Sequence, residues 1–578
     1  MRLMAMISPG PTAKDVDLHT KVIGESVRKI LGWVRRCRSM REDAFDRIDD
    51  FVQREMRDRC IPGLAVAITD KRQTVRTATY GLSDLRAHHP VTPVHRFQIG
   101  SISKSFASIA LLQLQQEGKL RIDDLVTEHL PWFKVRTRHG PIKLRHLMSH
   151  TAGIVNGTDS SPSAFSEVFA LKDLETGSAP GSYFHYSNSG YKALGLVLEE
   201  VTGRSNVQVL MDRVIRPLGM HSTEAEITNH NRDLQPTGHN FQHDDRPSQS
   251  CPKLVPSTWF ESNTADGSII STPSDMATYV RMLLNRGAGD GARILSSRSF
   301  NLLTSREIKP QDARSGEYYG LGLDIGKAEG HMMIGHTGGM VGFVSEILAD
   351  MDGGLGTVVL NNSRVDSSGM VRYILRVMRA ERAGKRLPPL PKPYNPTVVR
   401  GARAYAGKYR SGDKRVSVEA QGRSLVLRTE ADEVTLEVRG KDRFFAAHPR
   451  FDAYEIRFGR KGRKVVEMFS GPDWYANRSY TGPRRFSRPE EWDSFVGQYR
   501  AHNPWTPSFR IFLRKGSLVL AGTQGEEQPL VPLEDGSFRV GADRRSPERV
   551  RFDAFLRGKA TRAVLSGAEW HRTAAVVP

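Results

Sequence analysis

A serine and a lysine three positions apart, Ser101 and Lys104, are the residues of this chain best suited to covalent chemistry. A serine hydroxyl is a weak nucleophile at its own pKa and needs a base beside it. On a helix, a spacing of three places both side chains on one face, so Lys104 can serve as that base. Gly100 precedes the pair and an apolar helical stretch follows it, which predicts a nucleophile at a helix N-terminus.

Two further segments carry groups that would complete an acyl-transfer site. Tyr186 and Asn188, within the sequence Tyr-Ser-Asn, supply a phenol for proton transfer and a neutral amide. A lysine ammonium near Tyr186 would lower the pKa of its phenol. His336 opens the sequence His-Thr-Gly-Gly, and Gly338 and Gly339 would let backbone N–H groups approach a substrate closely. Each segment alone is typical of a loop or a glycine-rich turn, but the combination in this order indicates serine acyl transfer.

With these motifs the chain resembles the serine β-lactamase and penicillin-binding protein superfamily. The likeness is greatest to its class C-like branch, which holds D-aminopeptidases and related esterases (peptidase family S12). It covers about residues 44–375 and is carried by the segments FQIGSISKSF (97–106), LRHLMSHTAGI (144–154), FHYSNSGYKALGLVLEEVTG (184–203), DGSIISTPSDMATY (266–279), YGLGL (319–323) and GHTGGMVGF (335–343).

The resemblance implies a role for each matched residue. Ser101 would be the acylated nucleophile, Lys104 its base and Tyr186 the second proton-transfer group. Asn188 would bind the substrate amide. The backbone N–H groups of Ser101 and Gly339 would form the oxyanion hole. Gly338, beside Gly339, is assigned to the same substrate- and oxyanion-binding stretch.

His336, which we also place in the catalytic group, departs from the most common pattern of the superfamily. β-Lactamases and carboxypeptidases usually carry lysine at this position, and a lysine is a permanent cation that can hold a substrate carboxylate. A histidine, with an ordinary pKa near 6.5, is largely neutral at pH 7. Relatives with histidine here include aminopeptidases and esterases, so the resemblance disfavours β-lactams as the main substrates.

The sequence therefore predicts a serine hydrolase that forms an acyl-enzyme on amide or ester bonds. The most specific hypothesis is an aminopeptidase or amidase acting on D-amino-acid substrates. A carboxylesterase or weak β-lactamase of the same fold is the alternative within enzymes. A catalytically weak, penicillin-recognising sensor or binding protein is the alternative in a different class, against which the intact trio of Ser101, Lys104 and Tyr186 argues.

No metal or organic cofactor is predicted. The histidines outside the motif, His150 and His185 among them, form no ligand pair with a supporting cluster. His150 is interpreted as a structural residue. The predicted partners are a small-molecule or peptide substrate and a possible homo-oligomer.

The order of elements predicts an α+β fold for residues 43–386. Strand-like segments come first and last, with helical patterns between them, so an antiparallel sheet would be built from both ends of this segment. The resemblance implies the same β-lactamase-like sheet flanked by helices, with an all-helical lobe inserted at about 120–290. Five prolines in 387–396 predict an extended linker after this domain.

Beyond the linker, the chain repeats itself at a nearly constant offset, which predicts two copies of one small antiparallel β-barrel. The resemblance supports this prediction, because D-aminopeptidases of the branch carry two such lipocalin-like barrels after the catalytic domain. The matches are Tyr405–Arg410 with Phe495–Arg500 (offset 90), Ser424–Leu427 with Ser517–Leu520 (offset 93) and Trp474 with Trp570 (offset 96).

The chain is accordingly divided into five segments. They are a basic amphipathic extension (1–42), a catalytic domain (43–386), a proline-rich linker (387–400) and two β-barrel repeats (401–487 and 488–578). Whether Met1 or Met40 is the native start is left open.

The net charge of +20 lies mostly outside the predicted catalytic domain. Residues 1–42 carry +5 and residues 401–578 carry +11, whereas 43–400 carry only +4. The basic residues of the tail are scattered and show no nucleic-acid-binding motif. A solvated, arginine-rich surface is therefore predicted, and a nucleic-acid partner is not.

The sequence favours a cytoplasmic protein, with a periplasmic one left open. No apolar run approaches the ~18–20 residues that cross a bilayer. The basic amphipathic pattern at 23–37 lacks the apolar core of a secretory signal. Three cysteines, Cys37, Cys60 and Cys251, cannot form a disulfide framework, and reduced thiols are the simpler expectation.

Overall fold

The computed structural model describes residues 40–157, 159, 163–367 and 369–573. In it, an α+β domain with an antiparallel sheet is followed by two closed β-barrels. The predicted fold class is thereby confirmed. The basic amphipathic helix predicted at 23–37 lies outside the described residues.

Eight antiparallel strands form the sheet of the first domain, and the two ends of this domain meet at its centre. Gly63–Asp70 pairs with Leu355–Asn361, as expected for a sheet built from both ends of the segment. From one edge to the other, the strands are His89–Pro90, Thr74–Asp84, Gly63–Asp70, Leu355–Asn361, Phe343–Asp350, His331–Met340, Asp324–Ala328 and Tyr318–Tyr319.

Both faces of this sheet are buried, because successive side chains of a strand point to opposite sides. Within Gly63–Asp70, Ala65 and Ala67 belong to the core on the side of the helical lobe. Val66 and Ile68 belong to a second core on the opposite face. This central strand therefore anchors two layers of helices at once.

Helices cover each face of the sheet. A helix at 40–59 and the helix Met370–Arg382 pack on the second core. The helices on the other side are Ser103–Gln116, Val126–His129, Leu144–Met148, Ala164–Ala170, Asn188–Thr202, Asn206–Leu210, Met211–Ile215 (a π-helical turn), Pro273–Leu284 and Ser297–Leu303.

Short elements complete this lobe and the connections. Two strand pairs lie among its helices, Phe97–Gln98 with Ile270–Ser271 and His239–Phe241 with Leu254–Pro256. The 3₁₀ turns are Gly100–Ile102, Leu171–Asp173, Asn229–Leu234, Ala402–Ala404 and Glu490–Ser494. In the part of the chain that the structure describes, no helix is long and apolar enough to span a membrane.

The proline-rich segment lies against the first domain. Leu387 and Leu390 pack on the second core. The carbonyl of Pro388 accepts hydrogen bonds from Arg47 (3.0 Å) and from the Tyr373 hydroxyl (3.3 Å). The proline-rich segment thus runs along the surface of the first domain.

Cys60 and Cys251 form a disulfide whose Cα atoms are 5.3 Å apart. The expectation of reduced thiols is wrong for this pair. The two residues are 191 positions apart in the chain, and no sequence pattern brings them together. The fold does so by placing the 243–253 segment beside the end of the 40–59 helix.

Each barrel has eight antiparallel strands and is closed by pairing of the first with the last. The first barrel consists of Gly407–Ser411, Lys414–Gln421, Ser424–Arg428, Glu433–Gly440, Arg443–Ala446, Ile456–Lys461, Lys464–Ser470 and Asp473–Ala476. The second consists of Gly497–Arg500, Ser508–Arg514, Ser517–Gly522, Glu527–Pro532, Phe538–Val540, Arg549–Leu556, Lys559–Leu565 and Ala568–Arg572.

The barrels repeat each other in detail. Tyr409 and Tyr499, 90 positions apart, are both buried. The hydroxyl of Tyr409 donates to the carbonyl of Tyr405 (2.7 Å), and that of Tyr499 donates to the carbonyl of Phe495 (2.8 Å). The same local hydrogen bond therefore fixes the first strand of each barrel.

One of the sequence matches is displaced by a residue. Asp473 and Ala568 begin the last strand of each barrel. Trp570 lies two residues after Ala568, so its counterpart is Tyr475 and not Trp474. Trp570 and Tyr475 are both fully buried, whereas Trp474 is half-buried. The alternation of a strand, which identity of residue type does not reveal, decides this match.

Candidate active site

Ser101 and Lys104 are in direct contact at the start of a helix. Ser101 lies in the 3₁₀ turn Gly100–Ile102, and Lys104 lies in the first turn of Ser103–Gln116. Lys104 Nζ donates to Ser101 Oγ at 3.0 Å and to the carbonyl oxygen of Asp266 at 2.8 Å. The predicted spacing of three thus produces the predicted pair. The backbone of Asp266 completes it by fixing the amine.

Lys104 is fully buried. Burial lowers its pKa to about 8, against the opposing attraction of Asp266 and Asp159. A lysine with this pKa is partly neutral near physiological pH, and only the neutral amine can accept a proton. The environment therefore gives Lys104 the property that a base for Ser101 needs.

Tyr186 lies over the same lysine, with its ring centre 5.0 Å from Lys104 Nζ. Burial raises the pKa of Tyr186, and the hydrogen bond with the Ser101 side chain only partly opposes this rise. The expectation that lysine lowers the pKa of this phenol is therefore wrong, because burial outweighs it. Tyr186 is a neutral phenol at pH 7 and can donate a proton to a group beside Ser101.

The ring of a neutral histidine, His150, packs against the ring of Tyr186. The rings of His150 and Tyr186 have their centres 4.1 Å apart. His150 Nδ1 accepts a hydrogen bond from the backbone N–H of Ser187 (3.0 Å), and burial holds the pKa of His150 well below its usual value. This residue orients the Tyr186 segment, in line with the structural role predicted for it.

The glycines of the motif bring two backbone segments together. A Cβ on Gly338 would lie 1.8 Å from the carbonyl oxygen of Ile99, and a Cβ on Gly100, whose φ is +53°, would lie 2.6 Å from that of Gly339. Only glycine permits this approach. The glycines lie in a strand and not in the turn that is typical of such a segment. The strand His331–Met340 continues through them and passes beside Ser101.

Asn188 begins the helix Asn188–Thr202, which is capped by Ser187. Its backbone N–H donates to Asn156 Oδ1 at 3.2 Å. Its own Oδ1 is buried and has no hydrogen-bond partner within the described residues. A buried amide oxygen without a partner is costly, so this atom is suited to accept an N–H from a bound substrate.

Both ring nitrogens of His336 are hydrogen-bonded to other groups of the protein. Its Nε2 accepts a hydrogen bond from the Tyr319 hydroxyl (3.1 Å), and its Nδ1 donates to the carbonyl of Thr337. Burial, followed by repulsion from Lys104, lowers the pKa of His336 to about 4. His336 is therefore a neutral, buried group at pH 7, and it supplies no cation for a substrate carboxylate.

A cavity of about 530 Å³ opens over Ser101, and Asn188 and Gly339 also line it. Four carboxyl-bearing residues lie in its wall, whereas Lys192 is the one lysine or arginine of the described lining. Lys192 is already bonded to Asp159 and, at 2.6 Å, to Glu167. The cavity is acidic as a result. Its carboxylates are those of Asp159, Glu226, Glu261 and Asp266.

A family model described as Beta-lactamase matches residues 48–378, which is more than half of the chain. The chain belongs to the Beta-lactamase family. The resemblance to the serine β-lactamase and penicillin-binding protein superfamily is thereby confirmed. The matched residues include each of the motif segments described above.

Two curated relatives illustrate how far the sequence likeness extends. Protein flp of Staphylococcus aureus (strain MW2) is 27% identical over 329 residues, which are 55% of this chain and 63% of that protein. The chain thus spans less than two thirds of this relative's length. Penicillin-binding protein 4 of Amycolatopsis lactamdurans is 28% identical over 340 residues, 57% of this chain and 87% of that protein.

Among solved structures, the octameric penicillin-binding protein homologue from Pyrococcus abyssi is similar in fold. Its TM-score is 0.54 at 24% identity, and the match covers 75% of this chain and 99% of that one. The likeness of fold therefore extends beyond the Beta-lactamase domain into the barrels.

One residue that sequence analysis missed comes from the second barrel. Glu548, immediately before the strand Arg549–Leu556, reaches the Beta-lactamase domain. Its Oε1 accepts hydrogen bonds from the backbone N–H of Asn156 (2.7 Å) and from His185 Nε2 (2.9 Å). His185 adjoins Tyr186 in the chain, so Glu548 braces the segment that carries the phenol. His185 and Glu548 are 363 positions apart, and no sequence pattern links them.

A second missed residue is Trp505, in the loop 501–507 between the first two strands of the second barrel. Trp505 and Pro504 line the cavity over Ser101. The Trp505 ring faces Phe260 of the Beta-lactamase domain at 6.2 Å. The only sequence signal for Trp505 is that a tryptophan stands next to a proline in a loop. Among the described residues, no group of three histidine, cysteine or acidic side chains is arranged to hold a metal.

Proposed function

We propose that this chain is a serine hydrolase that cleaves amide or ester bonds through an acyl-Ser101 intermediate. Its most specific activity would be that of an aminopeptidase or amidase on D-amino-acid substrates with a free ammonium group. The observation that carries the proposal is the acidic cavity over a serine whose neighbouring lysine is fully buried.

Acylation would begin with transfer of the Ser101 hydroxyl proton to the neutral amine of Lys104. The serine oxygen attacks the substrate carbonyl carbon, and the resulting oxyanion is stabilised by the backbone N–H groups of Ser101 and Gly339. When the C–N or C–O bond breaks, the Tyr186 phenol gives its proton to the leaving group and regains one from the Lys104 ammonium. The acyl group remains on Ser101 as an ester.

Deacylation would repeat these steps with water as the nucleophile. Water loses a proton to the neutral amine of Lys104, attacks the acyl-Ser101 carbonyl and releases the carboxylic acid. The serine oxygen takes back its proton at the end. Asn188 Oδ1, which is without a partner in the described part of the chain, would accept a hydrogen bond from the substrate amide throughout.

The charges of the cavity support a cationic substrate. Asp266 Oδ1 is buried and has no hydrogen-bond partner among the residues that the structure describes, and the half-buried Glu226 lies in the same wall. A substrate ammonium would satisfy these oxygens, whereas a substrate carboxylate would be repelled by them. Neutral His336 adds no compensating positive charge. The assignment of D rather than L configuration rests on the resemblance to D-aminopeptidases.

The test is a matched panel of chromogenic substrates. We expect D-alanyl p-nitroanilide to be cleaved with a kcat/KM at least tenfold above that of N-acetyl-D-alanyl p-nitroanilide, which lacks the cation. L-Alanyl p-nitroanilide, p-nitrophenyl butyrate and a chromogenic cephalosporin complete the panel. Preferred turnover of the ester would establish the carboxylesterase alternative. Rapid cephalosporin turnover with inert anilides and esters would contradict the proposal.

A single variant separates substrate recognition from catalysis. Glu226→Gln removes one cavity charge without touching Ser101. We expect it to raise KM for D-alanyl p-nitroanilide several-fold and to leave the acetylated substrate unchanged. An equal effect on both substrates would show that Glu226 does not act through charge.

The alternative of a binding protein is tested by acylation alone. A fluorophosphonate probe should label the folded wild-type chain on Ser101 and should not label Ser101→Ala. Absence of label on the wild type would favour a sensor. Homo-oligomerisation is also only proposed, on the strength of the octameric homologue, and size-exclusion chromatography with light scattering measures it directly.

A further inference from the structure

A second cavity, of about 300 Å³, lies on the opposite side of the loop 501–507 from the active-site cavity. It is enclosed by the first domain and the second barrel. Trp505 faces the active-site cavity, whereas Asn503 and Pro507 line the second one, and Pro504 borders both. The loop 501–507 thus contributes residues to the lining of both cavities.

Three arginines line this second cavity, and two of them already hold carboxylates. Arg500 Nη2 donates to Asp244 at 2.7 Å, and Arg246 Nη1 donates to Asp452 at 3.2 Å. Arg364 differs from them. Within the described ranges, no hydrogen bond or ion pair reaches its guanidinium.

Arg364 is held in place by its backbone. It follows the strand Leu355–Asn361, and its N–H donates to the carbonyl of His239 at 3.2 Å. Its half-buried guanidinium stays charged, because arginine does not lose its proton in proteins. The charge of Glu526 acts on it from a distance without a hydrogen bond or ion pair, and burial raises the pKa of Glu526.

A half-buried cation without a partner among the described residues is compensated by an anion or by water. A guanidinium binds phosphate and carboxylate groups through two parallel hydrogen bonds. Further polar side chains border the same space and could hold the remaining oxygens of such an anion. They are those of Asn240, His243, His502 and Gln524.

We propose that the second cavity binds a compact oxyanion, a phosphate or carboxylate group, on the Arg364 guanidinium. The bound anion contacts the back of the loop 501–507. It thereby holds Trp505 in the position in which this side chain lines the active-site cavity. The site is distinct from the acidic cavity over Ser101, so the two cavities select ligands of opposite charge.

The binding step is tested with inorganic phosphate and with succinate, each against chloride at equal ionic strength. We expect calorimetry to show saturable binding of at least one of them to the full chain. Arg364→Gln should weaken this binding at least tenfold. Arg423→Gln, which removes an exposed arginine of the first barrel, should leave it unchanged. The anion that binds more tightly identifies the ligand class.

Two results would overturn the proposal. One is the absence of saturable binding of either anion to the wild-type chain. The other is equal affinity of the wild type, Arg364→Gln and Arg423→Gln. If Arg364→Gln fails to fold, as judged by circular dichroism, Arg364→Lys replaces it. That variant keeps the charge and loses the paired hydrogen bonds, so an intermediate affinity is expected.

The coupling to the loop is tested by fluorescence. Anion binding should change the tryptophan emission of the wild type, and this change should be absent in Trp505→Phe. Binding that leaves the emission of the two proteins equally affected would show that the anion does not act on Trp505. These readouts do not depend on hydrolysis, so they remain valid if the proposed enzymatic function fails.

Discussion

Each of the two barrels has eight strands and a buried tyrosine in its first strand, but their first hairpins differ in length. In the first barrel Arg410 pairs with Arg415, which leaves four residues between them. In the second barrel Arg500 pairs with Ser508, which leaves seven. The difference of three equals the change in repeat offset from 90 to 93. The inserted residues thus belong to the loop that carries Trp505 to the active-site cavity.

The two barrels also contact the Beta-lactamase domain differently. The first barrel bonds to its surface, with Glu437 accepting from the backbone N–H of Ser250 (2.7 Å). Across the residues that the structure describes, the lining of the active-site cavity includes none from this barrel. The second barrel supplies Trp505 to the lining and Glu548 to the segment behind Tyr186. The two barrels thus have the same strand order but place different loop residues against the Beta-lactamase domain.

Among substitutions that test this difference between the two barrels, we expect the largest loss of activity at Glu548. Glu548→Ala removes the acceptor for Asn156 and His185, and the segment that carries Tyr186 then loses its brace. We expect kcat/KM to fall about 10- to 100-fold, mainly through kcat, because small displacements of reacting groups cost that much. Steady-state kinetics on the preferred substrate measures the loss.

The control lies in the first barrel, where Glu455 also stands immediately before a strand. It is buried and bonds Arg443 at 2.7 Å. Glu455→Ala should lower the free energy of unfolding and leave kcat/KM within twofold of wild type. Glu548→Gln, which still accepts hydrogen bonds, should recover most of the activity. Equal losses of activity in the two alanine variants would remove the proposed difference between the barrels.

A smaller effect is expected at the loop itself. Trp505→Ala takes one wall from the active-site cavity, so KM should rise about tenfold with little change in kcat, since one aromatic contact contributes about 1–2 kcal/mol. Trp474→Ala in the first barrel removes a comparable ring and should leave KM unchanged. A tenfold rise in KM for Trp474→Ala would contradict the assignment of the loop.

The pH dependence should be common to both sets of barrel variants, because Lys104 belongs to the Beta-lactamase domain. Its pKa of about 8 predicts that kcat/KM falls about tenfold per pH unit below 8, as the neutral amine is lost. Between about pH 8 and the ordinary lysine value of 10.5, the unfolded chain binds more protons than the folded one. The contribution of Lys104 to the free energy of unfolding should therefore rise across this range.

Lys104→Met is the matching control for this profile. The free energy of unfolding of the wild type minus that of Lys104→Met, measured by urea denaturation, should rise between pH 8 and 10.5. A difference that stays constant over this range would show that Lys104 does not contribute as proposed. A shift of the kinetic pKa in Glu455→Ala would show that the first barrel does reach the site.

The smallest effect on activity is expected from the disulfide. Cys251 adjoins Ser250, which the first barrel contacts through Glu437 and Arg439. Cys251→Ser should lower the free energy of unfolding by about 2–4 kcal/mol, the typical contribution of a disulfide. The activity at 25 °C should stay within twofold of wild type. A larger loss of activity would mean that the docking of the first barrel also shapes the active site.

Sequence reasoning was sufficient where the relevant groups are close in the chain or belong to one motif. The spacing of Ser101 and Lys104 predicted their contact, and the repeats at nearly constant offset in the tail predicted two barrels. Glycines of the His336 motif were expected in a turn. They lie in a strand because this segment pairs with Phe343–Asp350. Gly338 has no room for a Cβ because the carbonyl of Ile99, which is distant in the chain, lies against it.

Other features depend on burial and on long-range contacts. The pKa of Tyr186 is raised because burial outweighs Lys104, and burial cannot be judged from a tripeptide. Glu548 resembles any other acidic residue of the basic tail until the second barrel is placed against His185. The disulfide of Cys60 depends on the same kind of distant placement. Glu548 and His185 are 363 positions apart, and the two cysteines are 191 positions apart.

The pairing of Gly63–Asp70 with Leu355–Asn361 has a consequence for synthesis on the ribosome. The first of these strands leaves the exit tunnel nearly three hundred residues before its partner exists. Its apolar residues would then be exposed on both faces of an unpaired strand, a condition that favours aggregation. Such non-local pairing also slows folding. The nascent chain should therefore depend on chaperones until residue 361 has emerged, whereas each barrel can close soon after its last strand is made.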